Sequence, residues 1–230
     1  VPALSDYHIS KCAHLQGLTQ LADAPSLGSL MTLSLSFSSA SLPRIQQEYP
    51  SSELPILPSP LPNLTSLLLN LSSVKHDLSG DGIHVLAERV NFRRLTRFSI
   101  LNLFCDSAHL SAILALSPGL QELYISIKGE HVLREALDIV APDNTTGSAS
   151  SGPQLGSELR TLHVIVPERW APSPDDLAEV AEKLPRLEQV GSGTRIYEVQ
   201  RRFGPNGKIR VELNRWGRTT TPGYFQIWRG

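Results

Sequence analysis

Six segments of this chain share one skeleton, L-x-x-L-x-L, and no other feature restricts its fold as severely. They read SLGSLMTLSLSF from Ser26, PLPNLTSLLLNL from Pro60, NFRRLTRFSILN from Asn91, SPGLQELYISI from Ser117, SELRTLHVIV from Ser157 and KLPRLEQVGSG from Lys183. The first anchors are Leu30, Leu64, Leu95, Leu120, Leu159 and Leu187. The second are Leu33, Leu67, Phe98, Leu123, Leu162 and Val190. Two residues later come Leu35, Leu69, Ile100, Ile125 and Val164, with Ser192 at this place in the last segment, where the pattern decays. A weaker copy, with Leu15 and Leu18, precedes them.

Residues two apart point to the same side of a strand, so the second and third anchors face one core. The first anchor turns the chain into that strand. A single unit cannot bury its leucine row, whereas stacked units bury a continuous one. The expected fold class is therefore α/β: a leucine-rich-repeat solenoid, with parallel strands on the concave side and helices on the convex side. Aromatics are only 6% of a chain that is 40% hydrophobic, which fits a core filled by leucine. Successive first anchors are 34, 31, 25, 39 and 28 residues apart, mostly longer than the roughly 20 to 29 of ordinary leucine-rich repeats.

The spacers account for the excess. Ser107–Leu116 has helical periodicity with Ser107 as N-cap, and Pro118-Gly119 ends it. Ser173–Leu184 has Ser173 as N-cap, Pro174 at the first position and Asp176 as the capping carboxylate. Gly82–Val90 and Gly129–Val140 are expected to be helices as well. The polar stretch 141–157, APDNTTGSASSGPQLGS, reads as a mobile insertion. Repeats are expected over 1–194 and a different unit over 195–230. There Tyr197–Phe203 and Lys208–Trp216 flank Gly204-Pro205-Asn206-Gly207, a hairpin signal, and Gly223–Trp228 reads as one more strand. Such an antiparallel β cap closes the exposed end of a solenoid.

No catalytic constellation, cofactor motif or metal site is read. Asp77, Ser79, Asp81, Gly82 and Glu88 fall at calcium-loop positions, but repeat strand rather than helix precedes them. The segment reads instead as a turn with Asp81 capping a helix that packs Ile83 and Leu86. The histidines are scattered, and Gly191-Ser192-Gly193 is not a nucleophile elbow. Cys12 and Cys105 are expected to be buried free thiols of a reducing compartment, cytoplasmic or nuclear. The start, Val1-Pro2-Ala3-Leu4, has no signal-peptide character and lacks Met, as a trimmed or partial chain does. The sequons at Asn63, Asn70 and Asn144 are read as incidental. No run of about 18 apolar residues occurs, so no membrane partner is expected. Residues 195–230 carry eight basic and two acidic residues, a net +6, against −7 elsewhere. The basic residues alternate with Ile196, Val199, Ile209, Val211 and Leu213 and read as the solvent side of strands, so nucleic acid is not the expected partner.

Side chains between the anchors project to the concave side. One lane is Ser34, Leu68, Ser99, Tyr124, His163 and Gly191, and the next is Ser36, Asn70, Leu101, Ser126 and Ile165. Apolar residues facing water mark an interaction site. The candidate partner-binding residues are Leu68, Asn70, Leu101, Tyr124, Ser126, His163 and Ile165. The alternative is that the cap or the insertion folds over them.

The phrases LPNLTSLLL, SAHLSAILALSPGLQELYI and SPDDLAEVAEKLPRLEQVG, with the ending RVELNRW and YFQIWRG, carry a resemblance. From about residue 15 the chain resembles the C-terminal leucine-rich-repeat region of fungal F-box-like proteins, especially those of basidiomycetes. The resemblance implies the substrate-binding part of an F-box-type ubiquitin-ligase receptor, whose ligand is a protein not identified by the sequence. Such proteins begin with an F-box that docks a Skp-type adaptor. The residues before the repeats are too few for one, so that adaptor is expected only with an F-box upstream of Val1. The other readings are a free-standing protein-binding scaffold and a polyanion binder acting through the basic cap.

Overall fold

The leucine rows decide how the strands line up. In the computed structural model, which describes residues 6–12, 29–38, 61–72, 76–78, 80–129, 131–135, 156–166, 172–203 and 209–216, each of the six segments contributes a strand. The strands are β1 (Asp6–Cys12), β2 (Thr32–Ser38), β3 (Ser66–Ser72), β4 (His76–Asp77), β5 (Arg97–Cys105), β6 (Glu122–Ile127), β7 (Thr161–Ile165), β8 (Gln189–Ser192), β9 (Arg195–Phe203) and β10 (Ile209–Arg215). They form one sheet of ten strands in the order β1-β2-β3-β5-β6-β7-β8-β9-β10, with β4 beside β5. Pairing is parallel through β8, then antiparallel for β8–β9 and β9–β10.

The register runs through the anchors. Leu33, Leu67, Phe98, Leu123, Leu162 and Val190 are successive cross-strand partners. So are Leu35, Leu69, Ile100, Ile125, Val164 and Ser192. A backbone device repeats beside them. The carbonyl just after the first anchor (Met31, Thr65, Thr96, Gln121 or Arg160) accepts two N–H groups from the next unit, at 2.8–3.1 Å. All the anchors are buried, and they share one core with the inward residues of the helices.

On that face pack α1 (Gly82–Ala87), α2 (Ser107–Leu116) and α3 (Pro174–Lys183). Helix α3 starts as its sequence dictates. The Ser173 Oγ accepts from the Asp176 N–H at 3.2 Å, the Asp176 carboxylate accepts from the Ser173 N–H at 2.8 Å, and Pro174 opens the helix. The Ser173 hydroxyl, which donates to Asp176 Oδ2 at 2.7 Å, and then the Ser173 N–H hold the Asp176 carboxyl below its ordinary range. Ile83 and Leu86 are buried.

Three local expectations are corrected. The N-cap of α2 is Asp106, not Ser107; its carboxylate accepts from the His109 N–H at 3.1 Å, while His109 Nδ1 accepts from the Asp106 N–H. Asp106 wins because its side chain reaches the third amide of the helix from one residue further back. Asp81 sits at the N-cap of α1 but makes no side-chain capping bond, because its own backbone is already helical. Helix α1 ends at Ala87 rather than Val90, and Val90 is drawn into a parallel bridge with Leu61. Strands β1 and β4 lack the leucine skeleton and were not expected. Residues 131–135 are helical. The remainder of the helix expected to Val140, the 141–155 stretch, the weaker copy at Leu15 and Leu18, and the strand at Gly223–Trp228 lie outside the described residues. No helix among the described residues is long and apolar enough to cross a membrane.

Candidate functional site

The sheet face opposite the helices carries the candidate residues. The lane Ser34, Leu68, Ser99, Tyr124, His163 and Gly191 is a continuous row of cross-strand partners and ends on Ile196 of β9. The second lane is interrupted. Asn70 pairs with Leu101, but β5 then bulges, so that Phe104 rather than Leu101 faces Ser126. Asn102, inside the bulge, adopts φ 65°, a left-handed conformation that Asn tolerates better than most residues.

Exposure separates the seven candidates. Leu68, Asn70 and Ile165 are half-buried. Tyr124 and Leu101 are only 4% and 5% exposed. They cluster with Ile196 and are packed by Ile165 and Trp216. The expectation of two apolar side chains facing water is thus corrected: Ile196 of β9 and Trp216, just after β10, cover them, as burial of apolar area favours. Ser126 and His163 are buried too.

Polar links organise the rest. Arg97 donates through Nε and Nη2 to the two oxygens of Glu122, both at 2.8 Å, and the Tyr124 hydroxyl donates to Glu122 Oε2 at 3.2 Å. Asn102 donates its backbone N–H to Ser126 Oγ and its Nδ2 to Asn70 Oδ1, each at 2.9 Å. Arg97 and Glu122 were missed although their signal was present: each precedes a second anchor and so shares the lane face by the period of two. Asn102 had no such signal, because the bulge breaks that period. Of the basic residues of β9 and β10, Arg195, Arg202, Arg210 and Arg215 are exposed. Arg201 departs from the expected solvent side and donates to the carbonyls of Leu187, Ala181 and Leu184 at 2.7, 3.0 and 2.8 Å.

His163 stands with its ring 6.2 Å from that of Tyr124. Gly191 leaves it room: a Cβ there would lie 2.5 Å from His163 Nδ1 and 2.8 Å from the Arg195 carbonyl. Burial pushes the His163 pKa down from 6.5 to about 4. The unfolded chain therefore takes up a proton near pH 6.5 that the folded chain refuses until about pH 4. Stability contributed by the neutral ring is complete above pH 6.5 and is lost as pH falls to about 4, a loss of about 3 kcal/mol. Urea midpoints at pH 7 and pH 4.5 are expected to reveal it, and His163→Gln to remove most of the difference. An unchanged pH difference in that variant would assign the acid sensitivity elsewhere.

Burial likewise pushes the Cys105 thiol up to about 12, the opposite of what a nucleophilic cysteine needs. Among the described residues, no three of His, Cys, Asp and Glu gather as metal ligands. Asp77, first of the calcium-loop positions, belongs to β4 and pairs with Lys128 at 3.3 Å. No protein-family model, curated protein or solved structure matches the chain.

Proposed function

We propose that this chain is a non-catalytic protein-recognition module. In this reading the sheet is a leucine-rich-repeat solenoid with its strands concave and its helices convex, and β9–β10 are its C-terminal cap. The observation that supports it is the alignment of six L-x-x-L-x-L segments as neighbouring strands, anchor opposite anchor. Repeated units stacked in this way build a broad binding face from residues far apart in sequence. The reachable part of that face is Leu68, Asn70, Ile165 and the Arg97–Glu122 pair. By its resemblance, the chain is the substrate-binding part of an F-box-type ubiquitin-ligase receptor.

A photo-crosslinking residue in place of Leu68 should give a discrete protein adduct in cells. The same residue in place of Ala115, exposed on α2, should not. Identical adducts from both positions, or none from Leu68, would remove the face from the proposal. The ligase part has its own check in the native transcript. A reading frame running upstream of Val1 into an F-box supports it, and a message that begins at Val1 removes its route to the adaptor.

A further inference from the structure

The geometry points to the Asn70–Asn102 amide pair as a site that reads the main chain of an extended peptide. This rests on the recognition reading above and specifies what is recognised. Asn70 lies on β3 and Asn102 in the bulge of β5, and both are half-buried. A side-chain amide has one acceptor oxygen and one two-hydrogen donor nitrogen. The bond from Asn102 Nδ2 to Asn70 Oδ1 uses one of each. Among the described residues, the Asn70 NH2 and the Asn102 carbonyl oxygen are left with no bonded partner. If both amides are turned over, the same donor and acceptor remain with the residues exchanged. One donor and one acceptor on the same face complement the N–H and C=O of a single residue in an extended chain, which point the same way.

The surroundings fit that ligand. Asn102 makes this bond from a backbone held at φ 65°. Its backbone N–H, taken out of the ladder, is secured by Ser126 Oγ at 2.9 Å. Departures of this kind concentrate where a side chain is re-aimed for use. Leu68, two residues before Asn70 on the same face and half-buried, offers an apolar wall for a ligand side chain. The donor–acceptor edge of adenine has related chemistry. A nucleic acid, however, also needs cations for its phosphates, and Arg97 on this face is engaged by Glu122 through Nε and Nη2.

The test is a random-peptide library selected on the whole chain, followed by titration of an enriched peptide. Asn70→Ala and Asn102→Gly, the second chosen because glycine keeps the left-handed backbone, should each weaken binding about tenfold or more, with the thermal midpoint little changed. N-methylation of one peptide nitrogen should do the same. Peptides that bind both variants as they bind the parent, displacement by adenosine monophosphate, or failure of any peptide to enrich would each overturn the amide site. A Leu68 photo-adduct that persists in both variants would leave protein recognition standing while the amide reading fell. A parent chain with no Leu68 adduct is instead the failure of the recognition reading.

Discussion

Tyr124→Asp is expected to destabilise the fold by about 3–5 kcal/mol rather than merely remove a binding contact. The ring is 4% exposed, packed by Leu101 and Ile196 and set beside His163 at 6.2 Å. Aspartate loses the apolar contact, leaves a cavity and buries a carboxylate next to Glu122, to which the tyrosine hydroxyl now donates. Loss of a large buried side chain costs about 3–5 kcal/mol by itself, and an unpaired buried charge adds to it. Tyr124→Phe, which loses one hydrogen bond to a charged acceptor, should cost about 1–2 kcal/mol. Urea denaturation of the two variants gives the comparison, and a stable Tyr124→Asp protein would refute the packing described for this end of the face. A binding defect in that variant alone is therefore no evidence of a contact, whereas one in a Leu68 variant is.

The second large effect belongs to Arg201. Its guanidinium holds the carbonyls of Ala181, Leu184 and Leu187, at and just beyond the C-terminal end of α3. The last carbonyls of a helix have no donor within it, and the helix dipole places partial negative charge there. A cation from β9 satisfies both needs and ties the antiparallel strands to the last repeat. Burial lowers its pKa, but arginine starts so high that it remains charged. Arg201→Met, which keeps the stem and removes the donors, should cost about 2–4 kcal/mol. Arg201→Lys should recover little, because a compact ammonium does not span three carbonyls. Amide exchange should quicken in β9 and β10 before it does in β5 and β6. A midpoint within error of the parent would show that the clasp contributes nothing to stability.

Much of the frame was legible because one spacing rule governed it. Every leucine-row position predicted a buried residue, and the register followed from the rule without slipping by one. The helix at Ser173 was legible for a local reason, since its cap, proline and carboxylate all lie within four residues. What escaped depended on neighbours distant in sequence. The covering of Tyr124 by Trp216 joins residues 92 positions apart, and the sequence offered a cap folding over the lane only as the alternative to exposure. Arg201 reads as one more basic residue in an alternating strand until the end of α3 is set beside it. The bulge at Asn102 breaks the very period from which the lanes were deduced. Strand β1, Asp6–Cys12, has no leucine skeleton and is placed by pairing with β2.

The paired N–H groups on the carbonyls of Met31, Thr65, Thr96, Gln121 and Arg160 set where each of these strands begins to pair with the preceding one, and the ladder continues from there. Whatever runs from the end of one strand to the next such point is free to differ in length, and first anchors are accordingly 25 to 39 residues apart. Since loop closure costs only about 0.6 kcal/mol for each doubling of length, the spacers are where such a chain can be lengthened, shortened or furnished with new sequence at little thermodynamic expense. Evolutionary drift, or a fluorescent label inserted by design, is tolerated between rungs, and the same insertion placed across a rung uncouples every strand beyond it.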